Sequence, residues 1–304
     1  MTTYQSWLQS NIEFLHQLGK LKQYPYLYKA LRANGDRLRR FLIALLDMLK
    51  FCVAGDGEKL PEQHGCAPVM ATEQYISKML IRAGIEPEAA GGKQLHYNLV
   101  LLHSFWLIKR VIRPRAQFET PSEEAEIPKF LYADLYTDSQ LAKIEDRVRR
   151  WAIVTGRRKR LSKDDIIWLY GQRDADLVFI PSTRSETDAS LEATDRFITA
   201  YRSAKASKHN SQPVTISDVS YQLRRLYNQD TAKIRDTIHR ANIPLFMEYG
   251  LQNRQMTAEE KSQYGITDRT YWAIMPVPEK IIEEMRDKRT YWEQEEEPDG
   301  ELIF

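Results

Sequence analysis

Apolar residues recur at helical spacing along most of the chain, which predicts a mainly α protein. Trp7, Ile12, Phe14, Leu15 and Leu18 mark a first helical piece and Leu27, Tyr28 and Leu31 a second, closed by Asn34-Gly35. Leu38, Phe41, Leu42, Leu45, Leu46 and Leu49 then share one face of a long helix over Arg37–Cys52, which reads as core. Gly55, Gly57, Pro61 and Gly65 punctuate a loop. Thr72 is placed to cap a helix carrying Ile76, Met79, Leu80 and Ala83 on one face and ending at Gly84. Leu95, Leu99 and Leu102 form the next stripe, and with them inward the outer face holds Lys93, Tyr97, Val100, Leu101 and Ser104. That face is partly apolar and suits dimerisation or packing between domains.

The stripe runs into Phe105–Pro114. A proline- and glutamate-rich loop follows over Pro121–Pro128, and Phe130–Tyr136 reads as a returning strand. Leu141, Ile144, Val148 and Trp151 point inward from a helix over 138–155, Ser162 caps another helix, and Asp176–Pro181 reads as a short buried strand or strand-like turn. Residues 188–208 predict a further helix with Leu191, Phe197, Ile198 and Tyr201.

The strongest local pattern lies between Pro213 and Pro244. Val219, Leu223 and Leu226 follow a Thr215-x-x-Asp218 capping pattern, and Ile234, Ile238 and Ala241 follow Asp230, so two amphipathic helices meet at a tight turn around Asn228-Gln229. With the second apolar set inward, a projection of 100° per residue turns Gln229, Lys233, Asp236, His239 and Arg240 outward, with Arg235 at the flank. Leu245–Tyr249 and Thr270–Met275 read as two strands, separated by Gln252–Ile266 with a short helical start at Thr257-Ala-Glu-Glu260.

This stretch resembles the helix-turn-helix of excisionase-type and related winged-helix proteins, in which an Ile-Pro like Ile243-Pro244 leads from the second helix into a wing strand. Residues 72–114 resemble the same arrangement, with Lys109, Arg110, Arg113 and Arg115 on the wing. The resemblance implies two helix-turn-helix modules with short β wings: an N-terminal winged-helix-like domain over 1–155, a C-terminal one over 156–278 and an acidic tail over 279–304. Tandem modules of this size resemble replication initiators and regulators of bacterial plasmids and mobile elements, which implies a partner of double-stranded DNA and a homodimer. The DNA contacts it implies are Gln229, Lys233, Arg235, His239 and Arg240 in the second helix, with Arg224 and Arg225 at the end of the first. To these it adds the four wing cations and Arg157, Arg158, Lys159 and Arg160 in a basic loop.

Charge sharpens this picture only when it is located. The 304-residue chain has a net charge of +2, yet eight basic residues and no acid lie between Arg147 and Lys163, while Glu279–Glu301 holds ten acids against four bases. A nucleic-acid-binding body with an acidic tail would carry this asymmetry. No stretch approaches the ~20 apolar residues of a membrane span, and the start of the chain lacks a basic then apolar leader, so a cytoplasmic protein without a membrane partner is expected. Two cysteines, Cys52 and Cys66, are too few for a disulfide framework or a four-cysteine zinc site.

Catalytic signals are weak. His96 and His103 lack a third ligand and read as partly exposed polar residues, and His64-Gly-Cys66 sits in a loop without a partner pair. Phosphate-cradling glycine motifs and His-x-His elements are absent. Asp164, Asp165, Asp174 and Asp176 could imitate a metal-dependent nuclease site with Lys163, but capping and solvation explain them more simply. The expectation is a non-catalytic binder of duplex DNA, without metal or cofactor. The alternative is a helical adaptor whose basic stretches meet an acidic protein partner.

Overall fold

The computed structural model describes residues 3–52, 69–71, 73–111, 129–179, 186–208 and 212–286. The chain is mainly helical and forms two compact units, each with a small antiparallel sheet. The first unit comprises Met1–Ile153, Arg157–Leu161 and Gln172–Pro181, and the second comprises Val154–Gly156, Ser162–Gly171 and Ser182–Phe304. The chain thus passes more than once between the units around residues 153–182.

In the first unit, α1 (Thr3–His16), α2 (Leu18–Leu21) and α3 (Pro25–Cys52) precede β1 (Val69–Ala71). Three further helices follow: α4 (Glu73–Arg82), α5 (Pro87–Ala90) and α6 (Gly92–Ser104). Then come β2 (Lys109–Val111), β3 (Lys129–Tyr132) and α7 (Asp138–Thr155). Within α3 the backbone breaks at Ala33, and Asn34, Gly35 and Asp36 all adopt left-handed φ of 54°, 66° and 64°. Asn, Gly and Asp are the residue types that tolerate this region best. The apolar face from Leu38 to Leu49 is buried. The first turn of α3 is capped from a distance, since both Glu145 carboxylate oxygens accept the Tyr26 and Leu27 amides at 2.8 Å. The sheet has the order β1-β3-β2, with Val69 and Arg110 both opposite Leu131.

In the second unit, α8 (Lys163–Tyr170) starts at a reciprocal Ser162–Asp165 capping box. The next segment, expected as a strand or strand-like turn over 176–181, is helical through Val178, within Gln172–Val178 (α9), and belongs to the first unit; residues 180–181 lie outside the described residues. Buried Asp174, Ala175 and Val178 follow an i, i+1, i+4 pattern that a short apolar run does not distinguish from a buried strand. The rest of the second unit runs through α10 (Glu186–Ser207), α11 (Ile216–Tyr227), α12 (Thr231–Tyr249), β4 (Leu251–Gln255), α13 (Ala258–Gln263), β5 (Trp272–Pro276) and a helix over 279–286. Phe197, Ile198, Val219, Leu223, Ile234, Ala241, Leu245 and Ile274 share its core.

Helix α12 outruns its expected end. Pro244 lies inside it, and Leu245–Tyr249, predicted as a strand, is its last turn and a half. A proline in a helix interior removes a hydrogen bond and crowds the carbonyl four residues back. Here Ile243, Pro244, Leu245, Phe246 and Met247 are all buried, so packing on several sides holds the turn that propensity would end. Gly250 then closes the helix in the left-handed region at φ 60°. That φ favours glycine, and a Cβ there would also meet the end of the Ile282 side chain at 2.8 Å, which would have to shift.

The capping box of α11 is a local device with a measurable share of stability. The Asp218 amide donates to the Thr215 hydroxyl at 3.3 Å, and the Thr215 amide donates to the Asp218 carboxylate at 2.7 Å. Thr215→Ala should lower stability by about 1 kcal/mol in urea unfolding. An unchanged midpoint would show that tertiary packing alone sets the start of α11.

Candidate nucleic-acid interface

The corner between α11 and α12 is built by local signals. Val219 and Leu223 enter the core, and Ser217, Tyr221, Arg224 and Arg225 stand exposed on the opposite face. Asn228 ends α11 in the left-handed region at φ 48°, and Asp230 caps α12 by accepting the Lys233 amide at 2.8 Å. Ile234 and Ala241 point inward, leaving Lys233, Arg235 and Asp236 exposed. Arg224 and Arg225 on the last turn of one helix and Lys233 and Arg235 on the first turns of the next therefore flank one three-residue corner. Among the described residues none of these four cations has an ionic partner.

Other expected contacts stand differently. Gln229 is buried rather than outward, because its Oε1 accepts the Thr237 hydroxyl at 3.2 Å and turns the side chain under the corner. His239 and Arg240 are half-buried, and Arg240 donates to Asp236 at 2.9 Å along the same helix. Leu226, expected inward, is 45% exposed, beside Tyr227 at 38%; Tyr221 reaches 66%. This exposed aromatic on the cationic face escaped the sequence reading, although the inward spacing of Val219 and Leu223 already turns position 221 outward.

The β4–β5 hairpin pairs Leu251 with Pro276 and Gln255 with Trp272. Its return strand is tied to the segment before α11, with the Ile274 amide donating to the Val214 carbonyl at 2.8 Å. Arg254 is committed within the hairpin, gripping both oxygens of Glu260 at 2.8 and 2.5 Å. Those guanidinium bonds hold the Glu260 carboxyl down at about 2 against the upward push of desolvation, and the Thr257 amide helps. Trp272 is 52% exposed at the start of β5.

In the first unit the expected wing contacts stand differently from those of the corner. Arg110 is fully buried and pairs with Glu73, so its guanidinium does not reach the surface. Lys109 is half-buried, with Nζ 4.0 Å from the centre of the Trp106 ring. Arg113, Arg115, the capping Thr72 and the loop 121–128 lie outside the described residues. Val100, Leu101 and Ser104, assigned to an outer face of α6, are at most 2% exposed. That helix is enclosed all round over its last turns, so it offers no apolar docking face there.

The basic run after 146 is likewise only partly a surface. Arg147 and Arg150 are buried, Arg158 is half-buried, and Arg157, Lys159 and Arg160 are exposed. Gly156 and Arg157 both take left-handed φ, of 62° and 67°. The loop is tethered rather than loose: the Trp151 indole donates to the Arg158 carbonyl at 2.7 Å, and the Arg160 guanidinium stands 5.3 Å over the Tyr97 ring.

Trp106 occupies the left-handed position after α6 at φ 63°, where glycine would be unstrained. Two cations attend its ring, Lys109 and, 4.1 Å away, Arg147.

The aspartates singled out for nuclease chemistry are each engaged separately. Asp164 accepts the Ser190 hydroxyl, Asp165 completes its capping box, Asp174 pairs with Arg147 and Asp176 accepts the Gln172 amide. His103, expected to be partly exposed, is fully buried. Among the described residues no group of three or more His, Cys, Asp or Glu side chains is arranged to hold a metal ion, and no helix is long and apolar enough to cross a membrane. No family model, curated protein or solved structure matches the chain.

Proposed function

We propose that the second unit binds double-stranded DNA through the α11–α12 corner, without catalysing a reaction. The observation that carries this reading is the set of exposed cations Arg224, Arg225, Lys233 and Arg235, without ionic partners among the described residues, on the two sides of a capped corner. Phosphate recognition needs such a concentration of free donors, and a helix presenting them can enter a major groove. The order of elements supports it. A long helix, a short extended segment at Val214, two helices and a hairpin whose last strand bonds back to that segment follow the winged-helix sequence of elements. The first unit follows a related order from the second half of α3 through β3, with three helices between β1 and β2 and the sheet order β1-β3-β2. Its buried Arg110 and enclosed α6 suit a structural role better than groove reading.

Arg224 and Arg225 act as phosphate contacts and Lys233 and Arg235 as groove contacts. An initiator or regulator of a plasmid or mobile element is the class that the tandem-module resemblance favours. The exposed Tyr221, Leu226 and Tyr227 favour a second reading, in which the same face receives an acidic protein.

Equilibrium binding to random-sequence duplex separates the two. The two phosphate contacts give a log–log salt slope of about −1.8, a loss of roughly tenfold between 50 and 200 mM salt. Arg224→Ala with Arg225→Ala should flatten that slope by about 1.8 for every sequence. Lys233→Ala with Arg235→Ala should instead erase about 1–3 kcal/mol of preference for a selected site per lost base contact. Binding that ignores salt, or its absence at 50 mM, rejects the DNA reading.

A further inference from the structure

We infer that the cationic corner of the second unit is also the docking site of this chain's own acidic stretch, Glu293–Glu301, which competes there with nucleic acid. The competition rests on the DNA reading; the docking does not. Three features of the molecule converge on this occupant.

The first is charge. Arg224, Arg225, Lys233 and Arg235 are exposed without ionic partners among the described residues, while Glu293–Glu301 contains six acids and no base. The second is apolar complementarity. The corner exposes Tyr221, Leu226 and Tyr227, and the acidic stretch is bracketed by Tyr291-Trp292 and Leu302-Ile303-Phe304. An acidic segment flanked by apolar groups fits a cationic face flanked by apolar groups better than either a bare polyanion or a neutral peptide would.

The third is reach. Ile282 and Met285 are buried, and the Arg286 guanidinium donates to the Met247 carbonyl, with Nε at 3.0 Å, which anchors the closing helix beside the carboxy-terminal end of α12. From Met247 back to Lys233 is fourteen residues of helix, about 21 Å at 1.5 Å per residue. The seven residues from Arg286 to Glu293 span at most about 25 Å when extended, and the fifteen to Glu301 about 50 Å. The acids therefore begin where the chain first becomes long enough to meet the corner. A tethered occupant acts at high effective concentration, so weak contacts suffice to hold it.

Zero-length carbodiimide coupling of the full chain, followed by peptide mass analysis, tests the docking without any nucleic acid. Lys233 should become amide-linked to a carboxylate within Glu293–Glu301 in the monomeric fraction, and the link should fade as salt screens the pairing. Duplex binding then tests the competition. In the full chain, replacing the four glutamates from Glu293 to Glu297 and Glu301 by Gln, with Asp299→Asn, should tighten duplex binding roughly tenfold at low salt, and the gain should vanish at high salt. Linkage of Lys233 only to other segments, or only in a dimeric fraction, overturns the docking. Equal duplex affinities for native and amide-substituted chains overturn the competition. If the link forms but neither chain binds duplex, the DNA reading fails and the docking stands; salt-dependent duplex binding without the link rejects the docking alone.

Discussion

Asp174→Ala will destabilise the protein by about 3–5 kcal/mol, the range expected when one partner of a buried ion pair is removed. Arg147 is fully enclosed and Asp174 nearly so. The guanidinium is fixed from several sides: Nε donates to the Ser104 carbonyl at 2.8 Å, Nη2 pairs with Asp174, and the group stands 4.1 Å from the centre of the Trp106 ring. Losing the carboxylate removes a counter-charge from a fully buried cation, and an arginine cannot escape by giving up its proton. Arg147→Met combined with Asp174→Ala should recover much of the loss, because a buried pair replaced by apolar groups is often close to neutral. Urea unfolding of the two single variants and the double variant measures this as a coupling energy. A cost below about 1 kcal/mol for Asp174→Ala would mean that water reaches the pair.

Acidification will destabilise the protein through His103 before most carboxylates are protonated. Burial pushes this imidazole from 6.5 down to about 3; Asp174 opposes the shift, while Lys109, Arg147 and Arg110 add to it. Its Nδ1 accepts the Arg110 amide at 2.9 Å, which requires that nitrogen to be unprotonated. The unfolded chain therefore binds a proton at pH 5 that the folded chain refuses, and stability rises with pH wherever the unfolded state holds more protons. The contribution is fully present above about pH 6.5 and is lost progressively as pH falls toward 3, with a slope approaching 1.4 kcal/mol per pH unit between those limits. His103→Asn keeps an acceptor near the Nδ1 position and does not titrate, so its stability curve should be flatter across that window. Parallel curves for the native and His103→Asn chains would refute the assignment.

Both effects lie outside what a linear pattern reveals. His96 and His103 looked alike in sequence, yet one is half-buried near Glu73 and the other is sealed behind Arg110 and Arg147. The basic run after 146 looked like one phosphate-facing surface, yet Arg147 and Arg150 face inward on the same helix that buries Ile144, Val148 and Trp151. A charged residue at an inward position is tolerated only if a counter-charge arrives from elsewhere. For Arg147 it comes from Asp174, 27 residues on, and for Arg110 from Glu73, 37 residues back.

What the chain determined by itself is what physics confines to one helical turn. Thr215 with Asp218, Ser162 with Asp165 and Thr257 with Glu260 set helix starts because donor and acceptor stand three residues apart. Leu38 through Leu49 and Leu141 through Trp151 lie on buried faces because their spacing matches the helical repeat. Tertiary structure alone decided the rest. It carried α12 through Pro244, where surrounding side chains outweigh a missing hydrogen bond. It turned Gln229 beneath the corner onto Thr237 and buried Val100, Leu101 and Ser104, on the face of α6 opposite its leucine stripe. It withdrew Arg110 from the surface while leaving Arg224, Arg225, Lys233 and Arg235 exposed, without an ionic partner among the described residues. Periodicity tells which residues share a face, but the number of faces covered depends on how many elements pack around the helix, and those elements come from remote parts of the chain.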